Sequence, residues 1–194
     1  MATEADFIRQ FVEPDLRRRC WDWAVEYLAK RPDCIGEAEP EGRKLGDNPQ
    51  HVAKTKAAEV AMALVLGKHP INDVGFGVGR PDPGWDIQAG PLRIDVKMTE
   101  HRNVGTACLF WPLNRNDVFE EKDFNVLALV RCETVKNERG EERSNGWFQI
   151  RGWISKDQFR RDMLVAGPDH NLDNGTWYVP LKLLSPVIVR EMAV

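Results

Sequence analysis

Apolar and polar residues alternate without a break over 92–98: Leu92, Ile94, Val96 and Met98 on one side, Arg93, Asp95 and Lys97 on the other. A period of two predicts a strand with one buried face. The preceding segment, 85–89, alternates too, with Trp85, Ile87 and Ala89 against Asp86 and Gln88. Gly90-Pro91 between them fits a two-residue type II′ hairpin turn, in which Gly takes the positive φ and Pro the fixed negative one. That register pairs Ala89 with Leu92, Gln88 with Arg93, Ile87 with Ile94 and Asp86 with Asp95. A near-continuous apolar run over 125–132 predicts a central strand buried on both faces. Further strands are predicted over 107–113, 146–154 and 176–181.

Helical spacing appears elsewhere. Phe7, Phe11, Leu16, Cys20, Trp23, Ala24 and Tyr27 predict helix over 4–30, interrupted at Glu13-Pro14, with Pro14 in the first turn of the second piece. A helix over 49–66 is apolar nearly all round and stops at Gly67. Residues 116–122 read as a short helix, and Ser155 with Gln158 forms a capping box for a helix over 156–165. The stretches 31–50, 70–84 and 136–145 are rich in Pro, Gly or charge and read as loops. This order predicts an α/β fold with a mixed β-sheet core flanked by helices. One domain is expected over 1–194, with an N-terminal helical extension and loop over 1–48 and the core over 49–181.

Composition narrows the class. The chain is 42% hydrophobic and 29% charged, ordinary for a soluble domain. The longest apolar run, 60–66, falls far short of the roughly 18–20 residues that span a bilayer. The start, Met1-Ala-Thr-Glu-Ala-Asp, lacks the basic and apolar regions of a signal peptide, so a cytoplasmic protein without a membrane partner is expected. The four cysteines form no CxxC pair, which argues against zinc and for reduced, buried thiols. A net charge of −3 leaves a nucleic-acid partner open. A protein that coats nucleic acid is basic, whereas an enzyme needs only a local basic patch.

The hairpin register places Asp86 and Asp95 opposite each other on one face. Like charges so placed destabilise a hairpin by a few tenths to roughly 1 kcal/mol. A divalent cation is the simplest means of neutralising both. Glu59 is the one charged residue between Lys56 and Lys68, on the helical stripe Val52, Thr55, Glu59, Met62, Leu66. A buried carboxylate needs a partner. From the helix alone, a metal and a capping lysine or arginine are equally good partners.

Glu59 in a helix, then Asp86, then Asp95-Val96-Lys97 in a strand, resembles the PD-(D/E)xK nuclease superfamily, with its restriction-endonuclease-like fold, in a small phage or bacterial form. The resemblance covers residues 50–132 by motif, and continues to Tyr178 by element order. It implies a hydrolase that cuts phosphodiester bonds of nucleic acid, DNA foremost, with Mg²⁺, for which Mn²⁺ substitutes. Asp86 and Asp95 would bind the metal directly, with the Val96 carbonyl as a further ligand. Glu59 would act through a metal-bound water or as an outer ligand. Lys97 would orient the attacking water and stabilise charge on phosphorus. The literal Pro81-Asp82 pair competes with Asp86 for the first aspartate; Asp86 is preferred because it lies on the strand facing Asp95, and Asp82 reads as a turn residue. The alternative is a non-catalytic nucleic-acid-binding or phage accessory protein that retains the fold.

Lys54, Lys56, Arg80, Gln88, Thr99 and His101 are candidate nucleic-acid contacts by their nearness to these residues in sequence. Arg17-Arg18-Arg19 is either a solvated face or a phosphate contact. The glycine-rich stretch 75–79 lacks the Lys-Ser/Thr of a phosphate-binding loop. The seven tryptophans are mostly expected in the core, with one or two able to stack on bases. No pattern reads out oligomeric state, so a homodimer stays open.

Overall fold

A computed structural model describes residues 7–30, 49–76, 84–100, 108–111, 116–140, 142–167 and 175–186. In chain order the elements are β1 (Ile8–Phe11), α1 (Pro14–Lys30), α2 (Pro49–Val65), β2 (Ile87–Ala89), β3 (Leu92–Thr99), β4 (Cys108–Trp111) and α3 (Asn116–Glu121). They continue with β5 (Val126–Lys136), β6 (Glu142–Ser155), α4 (Lys156–Asp162), β7 (Leu164–Val165), β8 (Trp177–Pro180) and a 3₁₀ turn, Leu181–Leu183.

The main sheet has five strands in the order β1-β6-β5-β3-β2, and β4-β8-β7 forms a smaller sheet. Only β3 and β5 run parallel; the other main-sheet pairs are antiparallel. The architecture is therefore mixed α/β. β5 holds the centre because both its faces are apolar. Val126, Ala128, Val130 and Cys132 pack on α2 in one core, while Leu127 and Leu129 join Leu109, Trp111, Phe119, Phe159 and Val179 in a second. The helix α2 is buried on nearly all sides, which explains why its sequence shows no polar face. Among the described residues no helix is long and apolar enough to cross a membrane.

Three expectations differ from the structure. Residues 8–11 are a strand and not the start of a helix. They pair antiparallel with β6, Ile8 with Ile150 through Phe11 with Trp147. Four residues are too few for periodicity to separate the two states, and the unpaired edge of β6 decides. The charged stretch 136–145 is strand at its two ends: β5 runs on to Lys136 and β6 begins at Glu142, with Gly140, whose φ is 77°, in the turn between them. Ladder hydrogen bonds hold these ends where there is no apolar face to betray them. The last helix stops at Asp162, and Leu164–Val165 pairs with β8 instead. The Ser155 cap is present, its hydroxyl accepting from the Gln158 N–H at 3.1 Å.

Candidate active site

The hairpin turn orders the first part of the site. Gly90 has φ 59°, the left-handed value required ahead of Pro91, and Ala89, Gln88 and Ile87 pair with Leu92, Arg93 and Ile94. One residue further the ladder changes. The Asp86 N–H donates to the Ile94 carbonyl at 2.9 Å, so Asp86 and Ile87 both face Ile94. Two residues against one bend a strand and re-aim a side chain. Asp86 therefore does not stand opposite Asp95 as a cross-strand pair. Its carboxylate turns in to accept the Val96 N–H at 2.7 Å, in the line of the sheet where β2 has ended.

β3 supplies the second part. Ile94 and Val96 enter the core under α2, while Asp95, Lys97 and Thr99 take the opposite face, level with Leu127, Leu129 and Arg131 of β5. Asp95 is 1% exposed. Lys97 Nζ lies 2.5 Å from Asp95 Oδ2 and 4.3 Å from the centre of the Trp111 ring. Lys122 Nζ approaches Asp95 Oδ1 at 3.4 Å. Asp95 Oδ2 has its ion pair but no hydrogen-bond donor among the described residues.

α2 supplies the third part. Glu59 is 6% exposed and Lys56 5%. Lys56 Nζ hydrogen-bonds Glu59 Oε2 and the Gly75 carbonyl (3.1 Å), and sits 4.4 Å from the centre of the Trp23 ring. Burial is the main force lifting the Glu59 pKa to about 8; the charge of Asp86 adds to it, Lys56 opposes it, and Asp95 adds again. Asp86 is lifted to about 6, first by desolvation and then by Asp95, while Lys97, the Val96 N–H and Lys56 pull it back. The three carboxylates thus feel one another, and they share two embedded lysines.

The chain was compared with protein-family models, curated proteins and solved structures, and nothing matches.

The remaining candidates scatter. Lys54 reaches Glu100, just beyond β3, at 2.6 Å. Thr99 is buried, and Gln88 is exposed on the outer strand β2. Lys56 faces inward to Glu59 and not outward to a ligand. Arg80, Asp82 and His101 lie outside the described residues. Cys20 and Cys132 are buried, unbridged thiols, and burial pushes Cys20 to about 12. Sequence reasoning missed Lys122 and Trp111 at the site. Nothing local marks either one, because each comes from another segment of the chain, Trp111 from β4 and Lys122 from just after α3. The Lys56–Glu59 pairing was visible in principle as an i,i+3 spacing.

Two carboxylates are the oxygen donors that a hard divalent cation takes: Asp95, whose Oδ2 now faces Lys97, and Asp86, whose pKa is raised by desolvation first and by the charge of Asp95 second. In a strand, the N–H and C=O of one residue project to the same side. The Val96 carbonyl therefore points where its N–H meets Asp86. No cluster of three or more His, Cys, Asp or Glu side chains placed for a metal occurs among the described residues.

Proposed function

We propose that this chain is a metal-dependent nuclease of the restriction-endonuclease-like kind, hydrolysing phosphodiester bonds of nucleic acid, with DNA as the first substrate to test. The observation that carries the reading is the anchoring of Asp86 on the N–H of Val96, the residue after Asp95, with Lys97 paired to Asp95. Asp86, Asp95 and the Val96 carbonyl would hold Mg²⁺ or Mn²⁺. A divalent ion there supplies Lewis-acid polarisation of water and of the phosphate. Lys97 places an ammonium where negative charge grows on the non-bridging phosphate oxygens as the water oxygen bonds to phosphorus and the bond to the leaving oxygen breaks. Trp111 holds the lysine from behind. Glu59, raised to about 8 and so largely protonated at neutral pH, would act as an outer ligand or through a metal-bound water once it has lost that proton.

One observation favours a second reading. Every carboxylate of the cluster has a lysine within its field, so charge balance is reached by the protein alone. A nucleic-acid-binding protein without catalysis would be satisfied by that balance. Incubation of the purified protein with supercoiled, linear and single-stranded DNA, in Mg²⁺, Mn²⁺ or EDTA, separates the two. Metal-dependent cutting that is lost in Asp86→Asn supports the nuclease. Binding without cutting in any metal selects the second reading.

A further inference from the structure

β5 leaves the second core after Leu129. The next side chain on that face is Arg131, which stands level with Thr99 of β3 as Leu129 stands level with Lys97. Arg131 therefore shares the sheet face of Asp95 and Lys97, two residues beyond Lys97 and one strand across. That offset is roughly 7 Å along the strand and ~4.8 Å between strands. There an open groove of about 970 Å³ lies over β5, β6 and the edge strand β1, its lining including Arg9, Arg131, Glu133, Lys136 and Gln149. We propose that this groove is a second nucleic-acid contact, in which Arg131 grips a backbone phosphate neighbouring the one held at Lys97.

A chain of hydrogen bonds positions Arg131. Its NH1 donates to Gln149 Oε1 at 3.1 Å, and Gln149 Nε2 donates to Glu133 Oε1 at 3.0 Å. Arg9 binds the same carboxylate through Nε and NH2, each at 2.9 Å. The charges of Arg9 and Glu133 thus balance each other, and neither is assigned to the ligand. Arg131 has a neutral amide as its partner instead. No carboxylate pairs with it among the described residues, and its Nε, buried in the groove wall, makes no hydrogen bond there. A cationic donor left so is costly, and an anion in the groove offsets that cost. The guanidinium, held at one nitrogen by Gln149, keeps the planar fork that matches a phosphate.

Lys136, exposed five residues further along β5, adds a second positive charge. Three cations and one carboxylate line the groove, in a chain with 27 basic and 30 acidic residues. Positive charge is gathered here against the overall balance, as in grooves that track a nucleic-acid backbone. The ligand class rests on the nuclease reading, and the shared sheet face joins the groove to that site.

Anisotropy of labelled DNA in EDTA, which prevents cutting, tests this, with a blunt duplex and a single strand titrated side by side. Thermal unfolding of each variant verifies its fold. Wild type should bind at least one of the two DNAs, more weakly as salt rises. Arg131→Gln should weaken that binding about tenfold, the loss of one charged hydrogen-bonded contact. It should also flatten the slope of log affinity against log salt by about 0.7–0.9, the share of one phosphate. Arg131→Lys should keep the slope and lose part of the affinity. A merely structural Arg131 would lower the melting temperature and leave the slope alone. Should Arg131→Gln fail to fold, Lys136→Gln on the exposed strand reads the same slope. The proposal is overturned if wild type binds neither DNA, or if the folded variants keep wild-type affinity and slope. An equal loss in Lys30→Ala, at the exposed end of α1, would mean diffuse surface charge and also overturn it. So would displacement by polyglutamate as effective as by unlabelled DNA, which would assign the groove to an acidic protein segment. Arg131-dependent binding in a protein that cuts nothing in Mg²⁺ keeps this groove and removes the catalytic reading. Asp95-dependent cutting with wild-type binding in Arg131→Gln and Lys136→Gln removes the groove and keeps catalysis.

Discussion

Lys97 is held between one carboxylate and one aromatic face, so its ammonium is positioned before any substrate arrives. Lys97→Ala should reduce cleavage about 10²–10³-fold, the scale of removing one charge-stabilising donor, while Mn²⁺ binding by calorimetry stays close to wild type. Cleavage near the wild-type rate would take Lys97 out of the chemistry. Glu59 offers a test that needs no activity. Its folded pKa, about 8, lies above the ordinary value of 4.5. A raised carboxylate pKa contributes stability that is complete below the unfolded value and is lost as pH rises through the folded one. Between about pH 4.5 and 8 the metal-free wild type should lose stability relative to Glu59→Gln by at most ~1.4 kcal/mol per pH unit. Denaturant unfolding of both proteins in EDTA at pH 5 and pH 8 measures the difference, and a constant or widening advantage of wild type would contradict it. At this scale the sequence was half legible. The identities of Asp95, Lys97 and Glu59 stand out from alternation and from a lone charge on an apolar helix. The approach of Lys122 to Asp95 and of Trp111 to Lys97 did not, because those two residues come from segments distant along the chain.

Among the elements, the β2–β3 hairpin shows how local rules succeed and then stop. Gly90-Pro91 dictates the turn, and three cross-strand pairs follow from it. Asp86 departs from that register because the chain arriving from Gly84 is fixed elsewhere. Gly84 has φ 87°, and a Cβ there would stand 2.8 Å from the backbone nitrogen of Asp123. Gly84→Ala meets both a left-handed backbone and an immovable neighbour. It should destabilise the protein by about 1–3 kcal/mol and shift Asp86 out of reach of Val96, with loss of cleavage. Thermal unfolding and the plasmid assay on the same sample read both effects, and an unaltered melting temperature with full cleavage would refute the positioning role. Residues 8–11 teach the complementary lesson. Phe7 and Phe11 sit at helical spacing, yet the segment is a strand, since pairing along β6 satisfies its backbone donors and acceptors.

For the whole molecule, metal and stability are linked. If Asp86 and Asp95 bind Mn²⁺ in the folded state alone, the ion stabilises that state by about 2.7 kcal/mol at a hundredfold excess over its dissociation constant. Wild type should therefore melt at a higher temperature with Mn²⁺ than with EDTA, and Asp86→Asn should abolish the rise while remaining folded. A wild type whose melting temperature ignores Mn²⁺ would remove the metal and leave the lysine-neutralised reading. Two cores lie on opposite faces of the main sheet, and the site sits at the edge where β2 ends, between them. A cation bound there bridges β3 to the segment before β2, and this is why its effect should be global.

Sequence alone determined the periodic features: the alternating strand of Asp95 and Lys97, the turn at Gly90-Pro91, the doubly buried β5, the all-round apolar α2 and the Ser155 cap. Each follows from a spacing of four residues or fewer, within which backbone geometry leaves few choices. Tertiary structure decided the rest: the parallel partnership of β3 with β5, the strand at 8–11, the bend that swings Asp86 to Val96, and the arrival of Lys122 at Asp95. Those depend on which surfaces meet after collapse, and burial sets the cost of each unpaired charge only once they have met.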